Sequence, residues 1–175
     1  MPTAHNDYEP TVPLSARMIQ ATARVLQNVV EIKLSQETWV CRPVANAQSA
    51  IVRRIAELFS TVYETYRSTA PDEVHSTVSY HPKRDEIIIQ VGEQKWRTHS
   101  SSFGPMTFEY GGLRYAVHEK LTGRFAILRE EKLLATGELG FRTCTVRDAP
   151  AEVEELLANL ALGYLIRTLF WEMLR

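Results

Sequence analysis

Four basic side chains and one aromatic side chain flank a predicted β-hairpin in the middle of the chain, and together they could bind an anionic group. The hairpin runs from His81 to His99 and turns at Gly92-Glu93. Positive charge beside an aromatic ring suits a phosphorylated headgroup or a single-stranded nucleic acid. A sheet edge that is protected by solvated charge produces the same pattern. The candidate ligand-binding residues are Lys83, Arg84, Lys95, Trp96 and Arg97.

A metal-dependent nuclease core is a second chemistry to weigh at this hairpin. Such a core needs two carboxylates on one divalent ion and a lysine near the attacking water. Asp85, Glu93 and Lys95 supply those residue types. However, Glu93 and Lys95 would have to share one strand face, and Glu93 belongs to the predicted turn. Solvated hairpin charges explain the pattern better, so the nuclease stays a minor alternative.

The other residues with catalytic or metal-binding side chains form no recognisable motif. Four histidines lie on different predicted strands or turns, and no CxxC or HExxH spacing accompanies them. The serine run at residues 100–102 lacks the Gly-x-Ser-x-Gly pattern of a nucleophile elbow. Cys41 and Cys144 are too few and too far apart for a disulfide framework. We therefore predict no catalytic residue, no metal site and no cofactor. The histidines are His75, His81, His99 and His118.

Composition and charge limit the class of protein. The chain has 175 residues, of which 45% are hydrophobic and 23% charged, which suits one folded domain. Its 20 Lys and Arg residues against 21 Asp and Glu residues argue against a duplex nucleic-acid binder, which needs a basic surplus. Residues 1–13 are polar and rich in proline, so we expect a flexible arm there and a single domain over residues 14–175.

The first half of the chain predicts a mixture of helices and strands. Ser15 could cap a short helix, and alternating apolar residues after Val29 predict one or two strands up to Cys41. Apolar residues then recur with helical spacing over residues 46–67, where Asn46 is a suitable N-cap. We therefore expect an additional amphipathic helix at residues 46–67.

The stretch from Val74 to Val146 has the pattern of short strands joined by tight turns. Gly111-Gly112 separates two alternating segments and is typical of a two-residue hairpin. Because short loops make consecutive strands antiparallel neighbours, this stretch predicts an antiparallel meander.

The last segment predicts a helix that is apolar on nearly every side. Between Leu156 and Leu174, fourteen of nineteen residues are apolar, and Asn159, Gly163 and Arg167 form a narrow stripe. A helix of this kind must be covered by protein or by lipid. Asn159 and Arg167 are unfavourable in a bilayer, so we expect burial against a strongly curved sheet, with a membrane anchor as the minor alternative.

Segments of the meander and the apolar helix carry a resemblance to a known family over residues 106–175. The segments are Tyr115-Ala116-Val117, Phe125-Ala126-Ile127, Leu134-Ala135-Thr136-Gly137 and the run from Glu152 to Glu172. In these segments the chain resembles the tubby-like superfamily, and its phospholipid-scramblase and LURP-one-related members are nearest in pattern. The resemblance implies a closed antiparallel barrel around a hydrophobic C-terminal helix. No acidic cation-binding segment precedes that helix, so neither scramblase activity nor a calcium site is carried over.

These observations predict an α+β fold, with a strongly curved antiparallel meander or barrel wrapped around the C-terminal helix. A helix-grip (START-like) domain is the alternative architecture. The expected function is a non-enzymatic binding module that engages a protein partner or an anionic lipid headgroup surface. A helix-grip carrier of an apolar small molecule is the alternative. We expect a cytoplasmic protein, either free or peripheral to a membrane, and leave a homo-oligomer open.

Overall fold

The computed structural model describes residues 17–26, 29–34, 39–44, 61–100 and 104–173. These residues form twelve strands, followed by a 3-10 turn at Ala151–Val153 and the helix α1 at Glu154–Met173. The strands of the first half are β1 Arg17–Leu26, β2 Val29–Leu34, β3 Trp39–Val44, β4 Val62–Arg67, β5 Ala70–His81 and β6 Glu86–Val91. The later strands are β7 Gln94–Arg97, β8 Met106–Tyr110, β9 Leu113–Glu119, β10 Arg124–Arg129, β11 Lys132–Gly140 and β12 Thr143–Ala149.

The strands form two antiparallel sheets. One has five strands in the order β3-β4-β5-β6-β7, and the other has seven in the order β2-β1-β12-β11-β10-β9-β8. From β3 to β7 and from β8 to β12, each strand pairs with the next one along the chain. The pairing of β1 with β12 then brings the beginning of the chain beside the end of the meander. The predicted curved antiparallel meander is confirmed.

Helix α1 lies inside the curved sheets. Every residue from Leu156 to Ile166 is buried, which is about three full turns, so protein covers the helix on all sides. The helix packs against β5 and β6 of the five-stranded sheet and against β1 and β12 of the seven-stranded sheet. Enclosure between two sheets confirms the predicted α+β class, and it favours the barrel-like architecture over a helix-grip domain, whose helix rests on one sheet face.

In the part of the chain that the structure describes, no helix combines the length with the hydropathy that a membrane crossing requires.

The helix predicted over residues 46–67 is wrong for its last turns. Residues 62–67 form strand β4, which pairs with β3 on one side and β5 on the other. The β-branched and aromatic residues Val62, Tyr63, Thr65 and Tyr66 favour a strand in this setting. Residues 46–60 of the predicted helix lie outside the described residues, and Thr61 is a bend before β4.

The short helix predicted after Ser15 is also wrong, because residues 17–26 form strand β1. Ile19, Ala21 and Ala23 are buried, whereas Thr22 and Arg24 are exposed, which is the two-residue period of a strand. Two of the three inward positions are alanines, so the alternation of hydrophobicity is weak in the sequence. The predicted arm at residues 1–13 lies outside the described residues.

The narrow polar stripe of α1 faces the five-stranded sheet. Asn159 accepts a hydrogen bond at Oδ1 from the Ser76 hydroxyl at 2.8 Å, and Ser76 is also hydrogen-bonded to Thr65. At Gly163, an added Cβ would lie 2.5 Å from Cγ2 of Ile87, so only glycine lets β6 approach this closely. The stripe therefore holds the positions at which the helix touches β5 and β6.

The stripe ends in an ion pair at the turn between β5 and β6. Arg167 donates from Nε and from one terminal nitrogen to the two Asp85 oxygens, at 2.7 and 3.0 Å. Tyr80 donates to the same carboxylate at 2.7 Å, and the Trp171 indole donates to the Tyr80 hydroxyl at 2.8 Å. Burial alone would raise the pKa of Asp85, but the hydrogen bonds from Arg167 and Tyr80, the positive charge of Arg167 and a hydrogen bond with Ser100 together leave this pKa below its ordinary value.

Candidate functional site

The two sheets meet at a seam that is paired at one point. His99 and Thr107 exchange two backbone hydrogen bonds, of 2.7 and 2.9 Å, between the segment after β7 and the start of β8. Beyond this pair, no backbone hydrogen bond joins β7 to β8 in the described residues. Both strands are therefore edge strands along the rest of the seam.

The alternation of an antiparallel ladder determines which backbone groups are left open. The backbone N–H and C=O of His99 both point toward β8. Backbone groups of alternate residues in a strand point the same way, so the N–H and C=O of Arg97 and Lys95 also point toward β8. Thr107 does the same toward β7, so the N–H and C=O of Glu109 also face the seam. The opening is thus bordered by backbone donors and acceptors on both sides.

Stacked aromatic rings close the interior side of the seam. The Trp96 and Phe108 rings stack with centroids 4.8 Å apart, and Phe108 stacks on Tyr115 at 4.9 Å with an angle of 2°. The Tyr110 ring meets Trp96 edge-on at 5.9 Å. This stack joins β7, β8 and β9 by side-chain packing where the backbone ladder is missing.

Trp96 carries an indole N–H without a partner. Its side chain is only 7% exposed, and Nε1 has no acceptor within hydrogen-bonding distance among the described residues. A buried donor without an acceptor costs free energy, on the order of 1–3 kcal/mol. Trp96 is also one of the residues that line a cavity at the seam.

A cavity of about 1050 Å³ opens at the seam. Its lining includes the aromatic residues Trp96, Phe108 and Tyr115 and charged residues of both signs. This volume is just above the range that is usual for small-molecule sites, about 300–1,000 Å³. The basic side chains of the lining are Lys95, Arg97 and Arg114, and the acidic ones are Glu109, Glu130 and Glu131.

Several of these charges already have partners. The Arg97 guanidinium lies 3.5 Å from the buried Glu86 carboxylate, and Glu130 accepts a hydrogen bond from the backbone N–H of Arg114 at 2.7 Å. Glu109 is the cross-strand neighbour of Arg114. No ion pair joins Lys95 to a carboxylate of the described residues. The cavity is therefore balanced in charge, and Lys95 is available to a ligand.

The structure separates the five predicted ligand-binding residues into two groups. Lys95, Trp96 and Arg97 line the cavity, whereas Lys83 and Arg84 lie on the turn between β5 and β6 and do not line it. Strand alternation turns the Trp96 side chain to the interior face, opposite Lys95 and Arg97. The predicted β-hairpin with its turn at Gly92-Glu93 is present as β6 and β7.

The residues weighed for a nuclease are not brought together. Asp85 pairs with Arg167 at the beginning of β6, and Glu93 lies in the turn at the other end of that six-residue strand. At about 3.3 Å per residue, the two carboxylates are separated by roughly the length of the strand. Within the described ranges, no group of three His, Cys, Asp or Glu side chains could hold a metal ion.

Two of the four histidines belong to the cavity. His99 and His118 are among its lining residues. His75 instead lies 2.6 Å from the Glu155 carboxylate on α1. His81 is on the outer face of β5, where burial lowers its pKa; Glu86 opposes this effect and the nearby cations add to it.

Neither thiol is a candidate nucleophile. Burial raises the pKa of Cys41 to about 12, and it raises the pKa of the fully buried Cys144 as well. Nucleophilic attack requires the thiolate, and burial disfavours that form at both positions.

The sequence-based interpretation missed the β8–β10 wall of the cavity. The Gly111-Gly112 turn does place Glu109 opposite Arg114, and that pairing could have been derived from the hairpin. Glu130 and Glu131 lie in the turn between β10 and β11. Their position near β7 depends on how strongly the sheet curves, for which the sequence carries no local signal.

The fold and site define a barrel-like α+β protein with an enclosed helix and an open, aromatic-lined seam. No family model, curated protein or solved structure matches the chain. The resemblance to the tubby-like superfamily therefore stays a prediction.

Proposed function

We propose that this protein is a non-enzymatic binding module that holds an extended segment of a partner protein in the seam between β7 and β8. The observation that carries the proposal is the pair of open strand edges beside the unpartnered indole of Trp96. An extended peptide presents N–H and C=O groups at the strand period, so it can complete an open edge by adding a strand.

The aromatic lining supports side-chain recognition beside the backbone pairing. Trp96 and Phe108 line the cavity next to the open backbone groups of Lys95 and Arg97. In strand addition, backbone hydrogen bonds supply affinity and pockets for alternate side chains supply specificity. A carbonyl or carboxylate of the peptide within reach of Trp96 Nε1 would satisfy the indole donor.

The balance of charge favours a peptide over a phosphorylated headgroup at this cavity. Three basic and three acidic side chains line it, and Arg97 already has a carboxylate partner in Glu86. A site built for a phosphate group would present a surplus of cations. The cytoplasmic location, the formation of a homo-oligomer and the alternative of a small-molecule carrier stay predictions.

The test is selection of random peptides on the purified protein, followed by titration of the selected peptide against variants. Trp96→Phe keeps a stacking ring but removes the indole donor, so we expect affinity to fall by about threefold to tenfold, the equivalent of one hydrogen bond. Trp39→Phe is the matched control, because Trp39 on β3 is also buried with an unpartnered Nε1 and does not line the cavity.

Hydrogen exchange identifies the binding mode. Strand addition should slow exchange of the Lys95 and Arg97 amides, or of the Glu109 amide if the peptide pairs with β8. Protection confined to other strands would contradict the proposal. So would the absence of any selected peptide together with binding of anionic vesicles that depends on Lys95 and Arg97.

A further inference from the structure

A second surface, at one end of the seven-stranded sheet, exposes two large apolar side chains on neighbouring turns. Leu121, in the turn between β9 and β10, is fully exposed, and Phe141, between β11 and β12, is 78% exposed. Water-exposed side chains of this size gain little from the fold itself. Their clustering on adjacent turn tips is the kind of feature that marks an interaction site.

Backbone contacts hold the two turns together. The Leu139 N–H donates to the Gly123 carbonyl at 2.8 Å, and a Cβ at Gly123 would lie 2.9 Å from the Leu139 carbonyl oxygen. The Ala23 N–H of β1 donates to the Arg142 carbonyl at 2.8 Å. Leu121 and Phe141 therefore share one rim, which we call the turn rim and define as residues 120–124 and 141–142.

Basic side chains surround the apolar pair. Lys120 and Arg124 flank Leu121, and the Arg142 guanidinium lies 4.7 Å from the centroid of the Phe141 ring. Two carboxylates lie close to these cations. Glu138 is the cross-strand neighbour of Arg124, and Glu119, next to Lys120, already lies 3.8 Å from Arg167.

A basic cavity opens beside the turn rim. Its volume is about 420 Å³, and its lining includes Lys120, Arg124 and Arg147 together with the single carboxylate of Glu138. The surplus of cations contrasts with the charge balance of the seam cavity, so it suits an anionic group.

The opposite end of the same sheet provides a comparison within the molecule. It also exposes an apolar side chain, Leu133, at 67%. However, the basic residues at that end are matched in number by acidic ones, and the two sets are Arg114, Arg129 and Lys132 against Glu109, Glu130 and Glu131. Exposed apolar side chains thus occur at both ends, but of the two ends only the turn rim has a surplus of basic side chains.

We propose that the turn rim docks on an anionic lipid bilayer. Leu121 and Phe141 enter the interfacial layer, while Lys120, Arg124 and Arg142 face the acidic headgroups. Apolar burial in the interface and attraction of cations to anionic lipid act together in surface-bound proteins. This site is separate from the seam and goes beyond the peptide-binding function, so either can fail without the other.

The test is co-sedimentation of the full chain with phosphatidylcholine vesicles that contain or lack phosphatidylserine. We expect binding to the mixed vesicles, weakened by salt, and little binding to phosphatidylcholine alone. The variant Leu121→Ser with Phe141→Ser should bind mixed vesicles at least about tenfold more weakly, since both inserted groups are lost. Arg124→Gln should cost about fivefold.

The matched controls are Leu133→Ser and Lys132→Gln at the opposite end of the sheet, which should bind like the unmodified protein. Equal losses in the control and rim variants would overturn the proposal, as would a rim variant that still binds. Circular dichroism and a thermal melt establish that each variant is folded; all replaced side chains are exposed.

Insertion has its own readout. In Phe141→Trp, emission should shift to shorter wavelength with mixed vesicles, and lipids brominated on their acyl chains should quench it. The unmodified protein, with its three native tryptophans, gives the background. Unchanged emission from the introduced indole overturns insertion. Concentration-dependent dimers in sedimentation that disappear in the double rim variant, without vesicle binding, would assign the rim to self-association instead.

Discussion

The five-stranded and seven-stranded sheets hold the same helix by different interactions. Toward the five-stranded sheet, α1 presents hydrogen-bonding groups, with Asn159 bonded to Ser76 and Arg167 bonded to Asp85. Toward the seven-stranded sheet its contacts are largely apolar, apart from the 3.8 Å approach of Arg167 to Glu119, and the Tyr164 ring stacks on Phe125 with centroids 5.5 Å apart.

The two kinds of contact have different roles: apolar packing stabilises the fold, and hydrogen bonds determine the position of the helix along the sheets. Burial of apolar area has no direction, so an apolar face alone would tolerate a helix that is rotated or shifted by a turn. Hydrogen bonds at Asn159 and Arg167 are made in one position and are costly to leave unmade inside the protein. We infer that apolar packing against both sheets supplies the stabilisation, while the hydrogen bonds to the five-stranded sheet select the position of the helix.

The largest expected loss of stability is at the contact between α1 and the seven-stranded sheet. Phe125→Ala should lower the free energy of unfolding by about 3–5 kcal/mol, because it leaves a cavity beside Tyr164. A Cβ at Gly137 would overlap the Phe125 ring, so Gly137→Ala should destabilise the unmodified protein but cost less in the Phe125→Ala background. Urea denaturation of the four proteins measures this coupling. Additive effects would contradict the packing described here.

An intermediate effect is expected at the close approach between the five-stranded wall and the helix. Gly163→Val should cost about 1–3 kcal/mol by overpacking against Ile87. The cost should shrink when Ile87→Ala makes room, which a double-mutant cycle by urea denaturation detects. If Gly163→Val were neutral in the unmodified protein, the contact between α1 and β6 would be looser than the structure has it.

The smallest expected effect is a pH dependence of stability at the contact between α1 and the five-stranded sheet. The pKa of Asp85 is lower in the folded protein, so its ion pair with Arg167 stabilises the fold above pH 3.8 and this contribution is lost as the pH falls further. Since both side chains are partly exposed, we expect about 1 kcal/mol. Asp85→Asn should unfold with a flatter pH dependence below pH 3.8 than the unmodified protein, and identical slopes would contradict the assignment.

Local patterns predicted the meander and the helix well. From β5 to β12, tight turns separate segments with alternating hydrophobicity, and the structure has strands there. The apolar run after Leu156 predicted a buried helix because no polar face could meet water. These features depend on neighbours in the sequence, so they could be derived before the structure was known.

Predictions failed where tertiary contacts decide between local alternatives. Tyr63 and Tyr66 fit a helical face as well as a strand, and pairing with β3 and β5 makes them part of β4. In β1, small inward alanines conceal the strand period. The sequence predicted that one hairpin carries Lys95, Trp96 and Arg97. It did not predict that Glu130 lines the same cavity, because that position depends on the curvature of the sheet.

The amino-acid sequence by itself determined that an apolar helix follows an antiparallel meander, because turn residues and hydrophobic periods act over a few residues. It also contained the stripe of Asn159, Gly163 and Arg167. Only the tertiary structure decided what that stripe touches, where the seam opens and which turns share a rim. Those features depend on closing the sheet around the helix, which brings together residues far apart in the chain and leaves no local pattern.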